Sequence, residues 1–355
     1  MNKEDWYRMP NTITEIAGRA HVSPATVSRV FSGQGYVSES TRAEILRIAK
    51  ELNYAPKKYK KRNPASSGGN VIGMVIPDIR NSFYTEIIRA IEETLDKKGY
   101  ELFVCDSNED SRKEIRCLAA LRQKQIGGLI ITPVSDVVEY NADFLMEMNH
   151  VGIPVVLLDR DLRGGGLDGV FLDNFKGSYQ ATQVLVNQGH THIAMICGPT
   201  TSKTGLERLN GYLEALRENQ IPIREEYILY GDFMAPSAYA LTKKLLKTQK
   251  RVTAILTANS RMSVGSLKAI AECGMSVGED IAFMSYGRAD FFEMSGSRIS
   301  AVSQPVQQIG EECSKILLER IASGKRARNA PRKQIILASE LLLYGSERYP
   351  SNRTR

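Results

Sequence analysis

Between residues 23 and 29 the chain reads Ser-Pro-Ala-Thr-Val-Ser-Arg, a run whose side chains suit the edges and backbone of a DNA duplex. Arg29 carries a planar fork of donors that matches the O6 and N7 acceptors of guanine in the major groove. Thr26 and Ser28 are short hydroxyls of the kind that hold phosphate oxygens. Pro24 and Ala25 offer only contact with a thymine methyl, or a fixed shape. Tyr36, Ser38 and Arg42 follow as further phosphate positioners, and Thr12 and Ser23 stand where two helices would begin. A second run, Lys57-Lys58-Tyr59-Lys60-Lys61-Arg62, holds five cations in six residues; Lys57, Lys60, Lys61 and Arg62 are its phosphate-contact candidates.

The remainder offers little that would catalyse a reaction. It holds no G-x-x-x-x-G-K-[ST] and no H-E-x-x-H. Cys105, Cys117, Cys197, Cys273 and Cys313 are scattered, form no C-x-x-C pair, and read as reduced buried thiols. His190 and His192 stand two apart, near no Cys or Glu in a ligand spacing. They read as a solvated turn before a strand rather than a zinc site. No enzyme activity, cofactor or metal is expected.

Charge is distributed as the DNA candidates require. The first 70 residues hold 12 Lys and Arg against 6 Asp and Glu, and the rest hold 35 against 34, so nearly all of the formal +7 sits in the first fifth. A basic head on a near-neutral body suits a polyanionic partner. The 355 residues exceed one ordinary core, so two or three domains are expected. No apolar run reaches the roughly 18–20 residues of a membrane span. The first residues lack the apolar stretch of a secretory signal, so the expected location is the cytoplasm.

Three helical patterns must position the first candidates. Thr12-Ile13-Thr14-Glu15 is a capping box, followed by Ile13, Ile16, Ala17 and Ala20 at helical spacing. Ser23 caps a second helix with Pro24 at its first position, where a missing N–H is harmless. Its inner side is Val27, Val30 and Phe31. Ser38 caps a third helix whose inner face is Ile45, Leu46, Ile48, Ala49 and Leu52. Two short helices joined by a four-residue turn and braced by a third make a helix-turn-helix layout. Spacing alone leaves a protein-binding three-helix module as the competing reading.

From Val71 onward short apolar runs alternate with amphipathic helices, which predicts parallel sheets covered on both faces. Strands are expected at 71–76, 101–105, 128–131, 155–158, 169–172, 193–197, 254–257 and 281–284. The pattern restarts near Gly169 and implies two α/β lobes.

The blocks Ala25-Thr26-Val27-Ser28-Arg29-Val30 and Leu52-Asn53-Tyr54-Ala55-Pro56 together closely resemble the head of lactose-repressor (LacI/GalR) family regulators. Asn81-Ser82-Phe83-Tyr84, Leu157-Leu158-Asp159-Arg160, Glu207-Arg208 and Ser303-Gln304-Pro305 extend the resemblance over nearly the whole chain. The resemblance implies a multidomain protein: an all-α helix-turn-helix head and an α/β body of the periplasmic-binding-protein-like type I fold, with two parallel-sheet lobes. The head would span 1–56, ordered from about 11, the basic hinge or linker 57–70, and the body 71–355. The first lobe would comprise about 71–168 plus 301–332, the second about 169–300 plus 333–346.

It further implies a homodimer on near-palindromic operator DNA, most simply a repressor, and a small carbohydrate-type effector between the lobes. Positions carried over to that pocket are Asn81, Phe83, Tyr84 and Thr132, then Asp159, Arg160 and Phe171, and finally Arg208, Phe233, Asn259 and Gln304. Aromatic faces with carboxylate, amide and guanidinium groups are what a polyol needs. Two departures keep an alternative open. Ser260 stands where relatives carry Asp, and Tyr286-Gly287-Arg288 where they carry an aromatic and two Asp. With Arg261 and Arg288 near the rim, the alternative is an activator or co-repressed regulator sensing an acidic, phosphorylated or non-sugar metabolite.

The linker departs as well. Relatives form a hinge helix there, with a Leu that wedges the minor groove. Seven residues past Pro56 this chain has Asn63, followed by Pro64, which disfavours helix at the residue before it. The basic run then serves either as a phosphate-holding linker or as a solvated tether. The expected consequence is an operator bent little, with tolerance at its central base pairs. Asn63→Leu with Pro64→Ala should restore helicity and raise affinity for sites with a flexible central pyrimidine–purine step. A gel-based bend assay on operators differing only at that step checks this, and a strong central kink made by the unaltered protein refutes it.

Overall fold

The computed structural model describes residues 13–32, 37–52, 69–134, 141–162, 166–249, 251–288, 298–324 and 330–350. The chain divides into two compact units, residues 1–63 and 64–355. Thr12, Tyr36, Lys57, Lys60, Lys61, Arg62 and the Asn63-Pro64 pair lie outside the described residues.

The first unit contains α1 (Ile13–Arg19), α2 (Pro24–Ser32) and α3 (Glu39–Glu51). Helices this short are marginal alone, so mutual packing must hold them. Ile16, Ala17, Val27, Val30, Ile45, Ile48 and Ala49 form one buried cluster from all three helices. His21 takes a left-handed φ of 51° in the tight turn between α1 and α2. The Ser23 hydroxyl accepts from the Thr26 N–H at 3.2 Å, and that of Ser38 from the Thr41 N–H at 3.2 Å, so both helices start at the expected caps.

The second unit opens with β1 (Val71–Ile76), α4 (Ser82–Asp96), β2 (Glu101–Asp106), α5 (Ser111–Gln123), β3 (Gly128–Ile131), α6 (Asn141–His150), β4 (Val155–Leu158) and β5 (Asp168–Leu172). It continues through α7 (Asn174–Asn187), β6 (Ile193–Cys197), α8 (Lys203–Glu218), β7 (Ile228–Tyr230), α9 (Ala235–Thr248), β8 (Ala254–Thr257), α10 (Ser260–Glu272) and β9 (Ala282–Tyr286). β10 (Ser300–Ser303), α11 (Val306–Ser323), β11 (Gln334–Leu337) and β12 (Glu340–Leu342) complete it. One sheet has the order β11-β5-β4-β3-β1-β2 and the other β12-β10-β9-β8-β6-β7. Each is parallel except where β12 runs against β10. Strands β3, β4, β5, β6, β8 and β9 are buried along their whole length, as helices on both faces require. Among the described residues no helix is long and apolar enough to cross a membrane.

Sheet membership shifts the expected lobe boundaries by a few residues. β5 pairs with β4, with Val156 opposite Asp168, and so ends the first sheet instead of opening the second. β10 pairs with β9 and belongs to the second sheet, while α11 returns to pack on α4. The chain therefore crosses between lobes near 173, 304 and 338, not near 169, 300 and 333. An apolar run looks alike in either sheet, so periodicity cannot tell which sheet claims it.

His190 also departs from expectation. It is fully buried, its Nδ1 lies 2.9 Å from the Thr253 hydroxyl, and its Nε2 lies 3.2 Å from the Glu347 carbonyl. Its ring stacks on Tyr349 at 5.0 Å. The histidine fastens the chain's last described residues beneath the second sheet. In sequence that partner lies more than 150 positions away, beyond the reach of any local pattern.

A buried ion pair holds the crossings of the first sheet. Asp168, at the start of β5, accepts from Arg320 Nε at 2.7 Å and Nη2 at 2.8 Å, and from the Lys333 N–H at 2.7 Å. Arg320 donates also to the Pro331 carbonyl at 2.6 Å. Each residue is only 9% exposed, so removing one partner strands the other's charge away from water. Asp168→Ala should destabilise this unit by about 3–5 kcal/mol in urea unfolding. A loss below about 1 kcal/mol would place the pair among the weak surface bridges.

Candidate binding cleft and duplex-reading surface

A narrow cleft with about 30 Å³ of free space lies where the carboxyl ends of the two sheets face each other. Open α/β sheets present ligands with this edge, because loops there are free to carry side chains. On the first lobe, Asn81 follows β1 and caps α4, its Oδ1 accepting from the Phe83 N–H at 3.2 Å. That cap orients Phe83 and Tyr84, buried rings that meet edge to face at 5.0 Å. Asp159 follows β4 with a left-handed φ of 63°. One of its oxygens, Oδ2, accepts from the Tyr84 hydroxyl at 3.3 Å. The other, Oδ1, is buried with no hydrogen-bond partner among the described residues. Burial, then the Asp159 charge, push the Tyr84 hydroxyl well above its ordinary pKa, so it stays a donor.

Arg160 is gripped by Glu109 through two hydrogen bonds of 2.7 and 2.9 Å. It donates also to the Pro133 and Val134 carbonyls at 3.3 Å. Burial works against its charge, but Tyr84, Glu109 and Asp159 outweigh that and hold its pKa above the ordinary value.

On the second lobe, Arg208 of α8 donates from Nε to Asn174 Oδ1 at 2.9 Å and from Nη1 to the Ala258 carbonyl at 2.6 Å. Its guanidinium lies over the Tyr286 ring at 3.9 Å, and the Tyr286 hydroxyl donates to the same Asn174 oxygen at 3.2 Å. Asn259 caps α10 through the Met262 N–H at 2.7 Å and donates to the Phe233 carbonyl at 3.0 Å. Phe233 has φ 66°, a conformation seldom taken by an aromatic residue. With Asp159 and Glu109 it makes three cleft residues in the left-handed region, and such strain gathers at binding sites.

Among the described residues several contacts span the lobes, Lys203 Nζ facing Asp161 Oδ2 at 3.8 Å among them. The Ser260 hydroxyl donates to Asn81 Oδ1 at 3.1 Å. Arg261 Nε lies 3.7 Å from Asp78 Oδ2. The Arg160 guanidinium sits over the Phe233 ring at 5.5 Å. The charged lining is balanced: Asp78, Glu109 and Asp159 face Arg160, Arg208 and Arg261.

Of the carried-over positions, Asn81, Phe83, Tyr84, Asp159, Arg160, Arg208, Phe233, Asn259 and Gln304 line this one cavity. Thr132 is fully buried at the end of β3 and does not line it. Phe171 lines an adjoining recess instead. Asp78, Glu109, Thr204, Ser260, Arg261 and Tyr286 line the cavity without having been singled out as contacts. Ser260, Arg261 and Tyr286 were visible only as departures from a pattern. Glu109 gave no signal, because its partner Arg160 lies 51 residues away.

In the helical unit, α2 turns Val27 and Val30 inward and leaves Pro24 and Arg29 exposed, with Thr26 half-buried. The Ser23 and Thr26 hydroxyls share a hydrogen bond of 2.9 Å. Ala25 and Ser28 lie on the same helix. Ser38 caps α3 and Arg42 lies in its first turn, half-buried.

Comparison with known proteins agrees across both units. A family model described as bacterial regulatory proteins, lacI family, matches residues 12–57. A second, described as periplasmic binding proteins and sugar binding domain of LacI family, matches residues 69–342. The HTH-type transcriptional repressor PurR of Proteus mirabilis is 33% identical over 315 residues, which cover 88% of this chain and 91% of that protein. Among solved structures, a complex of the transcriptional regulator CelR with cellobiose is 26% identical. It covers 95% of this chain and 99% of its own, with a TM-score of 0.71. A LacI family regulator from Enterococcus faecium with bound ribose is 26% identical, covering 77% of this chain and 97% of its own, with a TM-score of 0.66.

The Phe233 ring packs directly on Gly198, where an added Cβ would lie 2.2 Å from a ring carbon. Gly198→Ala should therefore swing the ring away from Arg160 and at least halve the thermal shift produced by a cleft ligand. Gly166→Ala, where nothing lies within 4 Å of the added methyl, should leave that shift unchanged. Equal behaviour of the two variants in differential scanning fluorimetry would remove Phe233 from the site.

Proposed function

The chain belongs to the LacI family of DNA-binding transcriptional repressors, and we propose that an uncharged, hydroxyl-rich effector of the carbohydrate class, held between its two lobes, controls its grip on operator DNA. The observation that carries this reading is Asp159. Its carboxylate is buried, held in a strained backbone, and keeps one oxygen without a partner among the described residues. A ligand hydroxyl supplies the missing donor, and a hydrogen bond to a buried carboxylate is among the stronger ones. Phe83, Tyr84 and Phe233 offer flat faces to sugar C–H groups.

Charge balance weighs against a phosphorylated effector. Glu109 pairs with Arg160, and Arg261 faces Asp78, which Arg80 also holds at 2.8 Å. By count the three cationic and three anionic residues of the lining cancel, which leaves no net positive charge there for a phosphate. The CelR complex holds cellobiose and the E. faecium regulator holds ribose, which supports a sugar here.

On the DNA side, Arg29 is the proposed base reader. Ser23, Pro24, Ala25, Thr26, Ser28, Ser38 and Arg42 set position and shape, with Thr12, Tyr36, Lys57, Lys60, Lys61 and Arg62 completing the contact set. One short recognition helix reads too few base pairs to find a site among many competitors. Two-fold pairing of heads in a homodimer doubles the reading, and that is the proposed assembly. A ligand that touches both lobes can favour one lobe arrangement over another and thereby change operator affinity.

One paired experiment tests both ends. Asp159→Ala should abolish the response of operator binding to the effector while leaving basal binding intact. Arg29→Ala should lower operator affinity by about 1–3 kcal/mol and relax preference at one base pair, with the effector response retained. Fluorescence anisotropy on an operator selected from random DNA measures both. A fully responsive Asp159→Ala protein would move the effector elsewhere.

A further inference from the structure

The five cysteines are dispersed in sequence, but the fold brings two of them together. Cys105 stands on β2, an edge strand of the first sheet, and Cys117 on α5, which packs over that strand. Both side chains pack against one apolar cluster, and both are half-buried. The Cys117 thiol is in hydrogen-bonding contact with that of Cys105, and its Sγ lies 3.9 Å from the carbonyl oxygen of Asp106, the next residue along β2. Burial, then the Cys105 thiol, push the Cys117 pKa up to about 11. Cys197 and Cys313 are buried, and Cys273 ends α10 in the second lobe.

The pair brackets a loop that reaches the cleft. Residues 107–110 join β2 to α5, and Asn108 and Glu109 are both left-handed, with φ of 52° and 54°. The loop is pinned by the Glu109 N–H on the Pro77 carbonyl at 2.8 Å and by Arg80 on Asn108 Oδ1 at 3.2 Å. The Glu109 carboxylate grips Arg160. A second route runs through α5 itself. Glu114, fully buried, accepts from the Val134 N–H at 2.7 Å, and the carbonyls of Pro133 and Val134 accept from Arg160. Cys117 stands one helical turn from Glu114, on the same side of α5. A disulfide holds its sulfurs about 2 Å apart, much closer than a thiol hydrogen bond. Joining the two cysteines therefore draws α5 towards β2 across the base of the loop, and both routes to Arg160 start from the segment that moves.

We propose that Cys105 and Cys117 are a redox-modification site: a hydroperoxide converts the pair to an intramolecular disulfide, and the bond shifts the protein's hold on Arg160 in the cleft. The Cys105 thiolate attacks the terminal peroxide oxygen. An S–O bond forms, the O–O bond breaks, and the remaining alkoxide or hydroxide takes up a proton. The Cys117 sulfur then attacks the sulfenic acid. The S–S bond forms, the S–O bond breaks, and hydroxide leaves with the Cys117 proton as water. In sum two thiols give up two electrons and two protons, and the peroxide is reduced to water and its alcohol, or to water alone. A dithiol reductant reverses the step by exchange.

The test exposes the reduced full-length protein to hydrogen peroxide and reads it by peptide mass spectrometry without reduction. The expected product is a linked pair of peptides carrying Cys105 and Cys117, lighter by two hydrogen atoms than the free pair and released by dithiothreitol. Cys273→Ser should leave the link unchanged, and Cys105→Ser or Cys117→Ser should abolish it. Hydrogen exchange on the same samples reads the coupling. Oxidation should change the exchange rate of the Val134 amide at least about two-fold, and dithiothreitol should restore it. Peroxide that leaves both thiols free, or carries either one to a sulfinic acid without a link, overturns the site. A link that forms with exchange at Val134 unaltered overturns its connection to Arg160.

Discussion

The chain crosses between its two parallel sheets near 173, 304 and 338, and the cleft depends on that constraint. Three strands of connection leave the lobes unable to separate, yet they permit hinge movement about the crossings. They also aim the carboxyl ends of both sheets at one space. Each crossing has a fixed end. Asp168 and Arg320 bind β5, α11 and the approach to β11 into one buried polar knot. In the second lobe, the Ser346 hydroxyl accepts from the Ser300 N–H at 2.8 Å and donates to the Phe283 carbonyl at 2.7 Å, tying the chain end to β9 and β10. Movement is thereby concentrated in the short connections, and each lobe can act as a rigid body.

Given that frame, the cleft is a problem in buried electrostatics. Charges withdrawn from water must be paired or hydrogen-bonded. Arg160 meets this at its Nη atoms through Glu109 and two carbonyls, though its buried Nε has no partner among the described residues, and Arg208 through Asn174, Ala258 and the Tyr286 ring. Asp159 meets it only by half, through Tyr84. A buried acceptor left half-satisfied is destabilising in isolation, by about 1–3 kcal/mol on general grounds, and that deficit becomes affinity when a ligand donates to it. The left-handed backbone at Asp159 and Phe233 points the same way, since strain in both residues persists only because packing holds them at the cleft.

Much of this was legible in the sequence, for local reasons. Capping residues Ser23 and Ser38 and the spacing of Val27, Val30, Ile45 and Ile48 fix three helices and their inward faces. Apolar runs bounded by turn residues mark β1, β3, β6 and β8. Strands β7, β10, β11 and β12 were not among the expected ranges; β7 and β12, three residues each, carry no periodic signal. What the sequence does not show is long-range pairing. Asp78 gives no hint of Arg261, nor Glu109 of Arg160, nor His190 of Glu347 and Thr253. Arg261 read alone suggested an electropositive rim, whereas the carboxylate of Asp78 faces it across the cleft at 3.7 Å, shared with Arg80. The site residues themselves became readable only through resemblance, because an Asp or Phe at a strand end looks the same whether it faces ligand or core.

The contacts across the cleft bear on how much work an effector must do. Ser260 on Asn81, Arg261 against Asp78 and Arg160 over Phe233 all join lobe to lobe through protein groups alone. Each favours the closed arrangement whatever occupies the cleft. An effector shifts a lobe equilibrium only by the difference between its affinities for the two arrangements. Where the resemblance implies an Asp, Ser260 places a neutral hydroxyl, so the Asn81 oxygen meets a donor rather than a carboxylate. Closure is then partly built into the chain. The more closure is built in, the smaller the shift that a ligand of given selectivity can produce between two well-populated states.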